Sequence, residues 1–359
     1  MENQASARIG CLLGMAAGDA LGCGVDHKTL SEIYDDYGPG GLQGYDMTED
    51  YAPISSHTQL AAVTANGLLV ALSRGRTENA RKYVAAALQE WSGMLYSRRV
   101  PEQTLCWISR LPAIHRKYCK DSRLSLGFSQ EMNSTPEAPL NRTDSVSALM
   151  APVAVGLFYT PKRLEQESLS RLALETAALT HGAPEAFLSG AWLAMLIANI
   201  LEQPRLPLKE LCQQTINAFL DLYSEKFLKA MDVALVLRQA IQLAENSAFE
   251  PSQVLERMHC DNAKNCLAAA VYVCLKCQDL DSALVTAVNH SGPSAAVGAV
   301  TGAILGAVLG AENIPDFYLE SLECADQLRT LATDLSTGSA TAALFDLAWE
   351  QKYNGGLPV

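Results

Sequence analysis

The sequence is short of basic residues. Twenty-seven Lys and Arg stand against 39 Asp and Glu, a formal net charge of −12, and no run of Lys and Arg is longer than two. An acid excess repels phosphate backbones, so no nucleic-acid partner is expected. Charged residues make up 18% of the chain against 49% hydrophobic, a balance that excludes disorder and points to a globular core. Alternating runs rich in Val, Ile and Thr are scarce, which argues against a sheet. No Gly-, Ser- or Pro-rich linker and no repeat of fixed period divides the 359 residues, so one compact domain over 1–359 is expected. The HExxH zinc motif, the GxSxG nucleophile elbow and the P-loop are all absent, which removes three common enzyme signatures.

What is present is helical periodicity. It predicts helices over 8–22, 58–73, 78–95, 102–119, 146–158, 164–179, 184–201, 208–223, 224–246, 263–276, 280–288, 317–333 and 340–352, with a polar loop over 120–144 that contains Pro136 and Pro139. The segment Ser291–Ala311 carries no formal charge, and its Gly298, Gly302, Gly306 and Gly310 recur every fourth position. That spacing puts the glycines on one helix face, where a neighbouring backbone approaches closely. Few bulky apolar residues and no basic flank argue for a buried core helix over a membrane span. The N-terminus has no basic stretch ahead of its apolar residues, which predicts no signal peptide and a cytoplasmic location. Ten cysteines fit reduced core residues. Cys274 and Cys277 have a metal-like spacing with only His259 and Cys260 nearby in sequence, and they lie in a regular amphipathic helix, so two core thiols are the expected reading.

Four polar turns could carry chemistry. Gly18-Asp19-Ala20-Leu21-Gly22 ends the first helix, with Asp26 beyond it; the plain alternative is a helix C-cap with Gly22 left-handed. Ser55-Ser56-His57 precedes a helix and could simply cap it. His181, between two helices, and His290, before the glycine-striped helix, are ordinary structural histidines unless something else engages them.

Taken together and in order, these segments resemble the ADP-ribosylglycohydrolase family. The matching segments are Gly18-Asp19-Ala20-Leu21-Gly22 with Asp26, then Ser55-Ser56-His57-Thr58, Ala151-Pro152-Val153-Ala154-Val155-Gly156 and Thr180-His181-Gly182-Ala183-Pro184. The last runs from Asn289-His290-Ser291-Gly292-Pro293-Ser294-Ala295-Ala296 into Gly298-Ala299-Val300-Thr301-Gly302. The resemblance implies an all-α, compact multi-helix bundle. It also implies hydrolysis of the glycosidic bond of ADP-ribose adducts in a cleft holding two magnesium ions. It would make Ser55, Ser56, Asp144, His181, His290, Ser291 and Ser294 lining residues of that cleft. An ADP-ribose-like or other small molecule would be the ligand.

The chain departs from the family where the metal should sit. Ser56 and His57 stand in place of the two aspartates of one signature, and Pro293 and Ala295 in place of the two of the last. Ser55 keeps a hydroxyl and Ala296 does not. Hard divalent cations need oxygen ligands, carboxylates above all, so no magnesium and no other cofactor is expected. The middle loop, Asn141-Arg142-Thr143-Asp144-Ser145, lacks the family's glycines. Three readings follow: an inactive relative with a remodelled cleft that binds a small molecule or a partner; an enzyme of changed chemistry with Asp26 and His57 as acid–base groups; and a structural, crystallin-like protein.

Overall fold

The computed structural model describes residues 2–47, 50–96, 133–246 and 248–338. They form fifteen α-helices, with a parallel β-bridge between Ala52 and Leu322. In chain order the helices are α1 Glu2–Cys23, α2 Leu30–Tyr37, α3 Ser56–Ser73, α4 Ala80–Tyr96, α5 Met150–Phe158, α6 Gln166–Ala178, α7 Pro184–Glu202 and α8 Leu208–Tyr223. They continue as α9 Lys229–Glu245, α10 Pro251–Met258, α11 Ala263–Lys276, α12 Leu280–Val288, α13 Ser294–Leu309, α14 Asp316–Leu319 and α15 Ala325–Thr337. The all-α expectation holds. The helices expected over 102–119 and 340–352, and most of the loop over 120–144, lie outside the described residues.

Three expectations need correction. The helix expected over 317–333 is two, because Cys324 adopts a left-handed backbone (φ +58°) between α14 and α15. Residues 224–228 belong to a turn, so the helix expected over 224–246 begins at Lys229. Gly22 is not a left-handed cap: it is helical, and α1 runs on to Cys23.

Gly22 is there for close approach. An added Cβ on it would overlap the backbone of Ala295. The same holds along all of α1. Gly10, Gly14 and Gly18 oppose Gly306, Gly302 and Gly298 in turn, and a Cβ at any of the six would overlap the carbonyl oxygen of its partner. The glycine stripe of α13 therefore has a matching stripe on α1, and the two helices run antiparallel with their backbones in contact. Only glycine leaves room for that.

This pair lies in one hydrophobic core that runs from Ala7 to Leu335. Fourteen residues of α13 are buried. α7 is the one helix among the described residues long and apolar enough to cross a membrane, and 83% of its apolar stretch is buried inside the fold. Cys274 is buried and donates to Thr301 O, and Cys277 lies beside Thr286 Oγ1 and Ser282 O. Both act as packed thiols, and the eight cysteines among the described residues are all thiols rather than disulfides.

Candidate functional site

The antiparallel pairing brings the C-terminal end of α1 to the N-terminal end of α13, and α3 touches both. Three of the segments singled out in the sequence therefore meet at one end of the α1–α13 pair.

The α3 start is built around Asp19. Residues 52–54 reach it through backbone bonds between Ala52 and 321–323, and Ile54 N donates to Glu323 Oε2. Ser55 is the N-cap, its Oγ accepting from His57 N at 3.0 Å. Asp19 is fully buried and accepts from Ser55 N at 2.9 Å, Ser55 Oγ at 2.5 Å, Thr58 N at 3.1 Å and Thr58 Oγ1 at 2.6 Å, with the Cys23 thiol 4.0 Å from Oδ1. His57 Nδ1 lies 3.4 Å from Asp19 Oδ1 and 3.0 Å from Ser55 Oγ. Burial pushes the Asp19 carboxyl upward, but the bonds from His57, Ser55 and Thr58 outweigh it and hold it below its ordinary value. An ionised carboxylate at a helix N-terminus is also favoured by the helix dipole. Ser55, Ser56 and His57 are all buried.

The α13 start is stitched to the segment after α1. His27, left-handed at φ +63°, donates its N–H to Gly292 O, and Gly292 N donates to Lys28 O. Asn289 bridges back to residue 42, accepting from Leu42 N and donating to Leu42 O and Val285 O. Gly41 is left-handed (φ +67°), and a Cβ there would overlap the Asn289 amide. Asp26 accepts from Ala295 N at 3.2 Å, so this acid caps α13. It is 3.5 Å from His27 Nε2 and makes no bond to His57. The carboxylate next to His57 is Asp19. Ser294 is buried and donates to His290 O.

His290 is fully buried. Its Nδ1 donates to Ser291 O at 2.8 Å, while Nε2 has no partner. Burial outweighs nearby acids and keeps it below the ordinary histidine range, so it is neutral at pH 7. Ser291 is gripped by Glu256 of α10: Ser291 N donates to Oε1 at 2.6 Å and Ser291 Oγ to Oε2 at 2.9 Å. Ser291 Oγ in turn accepts from Leu30 N at 2.9 Å. Hydrogen bonds to a charged group are worth about 1.5–3 kcal/mol each. A Glu256→Gln chain, which keeps the shape and loses the charge, is expected to be less stable by about 1.5 kcal/mol. Urea unfolding would show this as a lower midpoint at unchanged slope, and an unchanged midpoint would remove Glu256 from this role.

The remaining residues stand apart from these two helix starts. Both ring nitrogens of buried His181 are engaged, Nδ1 with Thr180 Oγ1 at 2.8 Å and Nε2 with Ser145 Oγ at 3.2 Å. Asn141 accepts from Thr143 N and Gly182 N and donates to Thr180 O, so the polar loop is fastened to the α6–α7 turn. Asp144 is exposed, and its carbonyl accepts from Ala263 N at the start of α11. The structure thus gathers Asp19, Ser55, His57 and Thr58 at α3, and Asp26, Glu256, His290 and Ser291 at α13. His181 with Ser145 forms a third cluster. No group of three or more His, Cys, Asp or Glu side chains among the described residues is placed to hold a metal ion.

A family model described as ADP-ribosylglycohydrolase matches residues 1–344. A solved structure titled "ADP-ribosylglycohydrolase-related protein complex" superposes with a TM-score of 0.61 at 22% identity, over 94% of this chain and all of the other, a likeness of fold. No curated protein matches the sequence. A family match over nearly the whole length, on an all-α fold, makes the chain a member of the ADP-ribosylglycohydrolase family.

Proposed function

We propose that this chain is a non-hydrolysing member of its family, one domain over 1–359, whose remodelled cleft binds a small molecule or a partner. One observation carries the reading. A carboxylate has about four lone-pair positions; Ser55 N, Thr58 N and Thr58 Oγ1 converge on Asp19 Oδ2, and Ser55 Oγ and His57 Nδ1 engage Oδ1, with the Cys23 thiol beyond them. The acid left at the α3 start is therefore spent on the protein's own backbone and hydroxyls.

The donor set does not fit two magnesium ions. At the positions where the family carries its ligands stand Ser55, Ser56, His57, Pro293, Ala295 and Ala296. Ser55 Oγ already donates to Asp19, and imidazole is a poor ligand for magnesium. Asp26 is bound to Ala295 N. Asp144 is exposed, whereas Ser291 is held by Glu256 and Leu30 and Asp26 caps α13. Cysteines kept as thiols among the described residues agree with a cytoplasmic protein, and the acidic charge with a partner other than nucleic acid.

Calorimetry with magnesium and ADP-ribose, singly and together, is the test. The expected result is no magnesium heat and no mutual dependence. Micromolar binding of both, each requiring the other, would overturn the reading.

A second reading rests on the buried His57–Asp19 pair, in which a carboxylate orients an imidazole as acid–base chemistry requires. It predicts slow turnover of ADP-ribosylated peptides that His57→Ala abolishes and Asp26→Ala weakens. Turnover indifferent to both substitutions would sink it.

A further inference from the structure

A second concavity lies away from both helix starts. It is a cavity of about 340 Å³ between α9, α10 and α11, walled by Val236, Leu243, Phe249, Val254, Met258 and Ala268. Its polar rim is Gln239, Arg257, His259 and Asn265, and no Asp or Glu lines it. In a chain of net charge −12 that is a local reversal of sign.

Arg257 is exposed and has no ion-pair partner among the described residues; its guanidinium carbon lies over the Phe249 ring, 5.3 Å from the ring centre. An arginine held over an aromatic wall is oriented, yet its N–H fork remains available to an anion. His259 stands in the left-handed position that ends α10 (φ +49°), where glycine would be unstrained. Its carbonyl is fixed by Asn265 Nδ2 at 3.0 Å.

We propose that this cavity binds a small amphipathic carboxylate, its apolar body between α9 and α11 and its anionic head on Arg257 and His259. The volume is roughly twice the ~150 Å³ that takes a benzene molecule, which suits two fused rings or a chain of about eight carbons. Val254 and Met258 share one face of α10, and Glu256 lies about half a turn away from both, holding Ser291. α10 thus separates this cavity from the α13 start.

The test is calorimetric titration of the intact chain with octanoate, octylammonium and octanol at pH 7. Octanoate is expected to saturate at one per chain and to bind at least about tenfold more tightly than octylammonium, the loss of one charge-assisted contact. Arg257→Gln is expected to weaken octanoate about tenfold and leave octanol unchanged. Gln239→Glu, which puts an acid on the rim, is expected to weaken octanoate similarly. Thermal unfolding of both variants checks that they fold as the parent does. Equal affinity for the anion and the cation, octanoate binding unmoved by both substitutions, or no saturable octanoate binding would each overturn the proposal. None of these outcomes depends on the hydrolytic state of the other site.

Discussion

Replacing Gly302 by alanine is expected to destabilise the fold by more than about 3 kcal/mol, beyond the usual range for overpacking. The added methyl would overlap the carbonyl oxygen of Gly14 on the opposing helix. An overpacked core normally relaxes by turning a side chain, but both partners here are backbone, so only separation of α1 and α13 makes room. Separation costs contacts along four successive turns, because Gly10, Gly14, Gly18 and Gly22 all face backbone of α13 or the residues just beyond it. Gly44→Ala is the control: nothing lies within 4 Å of its added Cβ, and a change within about 0.5 kcal/mol is expected. Urea unfolding followed by circular dichroism measures both. If the two variants unfold alike, the backbone contact is not what holds the helices.

Asp19→Ala should be almost as severe, about 3–5 kcal/mol, the usual cost of removing one side of a buried charged network. The substitution strands Ser55 N, Thr58 N and two hydroxyls at the buried start of α3. Asp19→Asn restores one acceptor but turns an amide N–H towards donors, so an intermediate loss is expected. The acid limb of the stability curve separates charge from shape. The Asp19 carboxyl is held below its ordinary value of 3.8 in the folded chain, so the unfolded chain takes up its proton first. Its contribution is therefore complete above pH 3.8 and is lost as pH falls through the folded value. Asp19→Asn should lose more stability at pH 6 than at pH 3. An equal loss at both would mean that the carboxylate charge is not what Ser55, Thr58 and His57 recognise.

Long apolar periodicities were legible in the sequence to the residue for α8, α11 and α12. α2 and α10 were not, because two turns are too short for a 3.6-residue period to declare itself. α2 buries only Ile33, and α10 only Val254 and Leu255. Their signals are local: a Thr29–Glu32 capping box and Pro251 at the first turn. The partner of the α13 stripe was also in plain view as Gly10, Gly14, Gly18 and Gly22, four glycines at the same spacing. At the candidate site, sequence order pointed to the right turns but not to which acid serves which. Asp19 reads as a helix end and turns out to organise α3. Asp26 reads as the acid beside His57 and caps α13 instead. Glu256 carries no motif, since its bond to Ser291 joins segments 35 residues apart.

The glycine pairing also sets the order of events during synthesis. α1 is made first, but the helix that covers its glycine face follows only after most of the chain. At five to twenty residues per second that interval is roughly 15–60 s. During it, a helix designed to touch bare backbone has no backbone to touch, and the Asp19 and Asp26 ends wait with it. The glycine face of α1 therefore stays without its native cover until nearly the whole chain has been made.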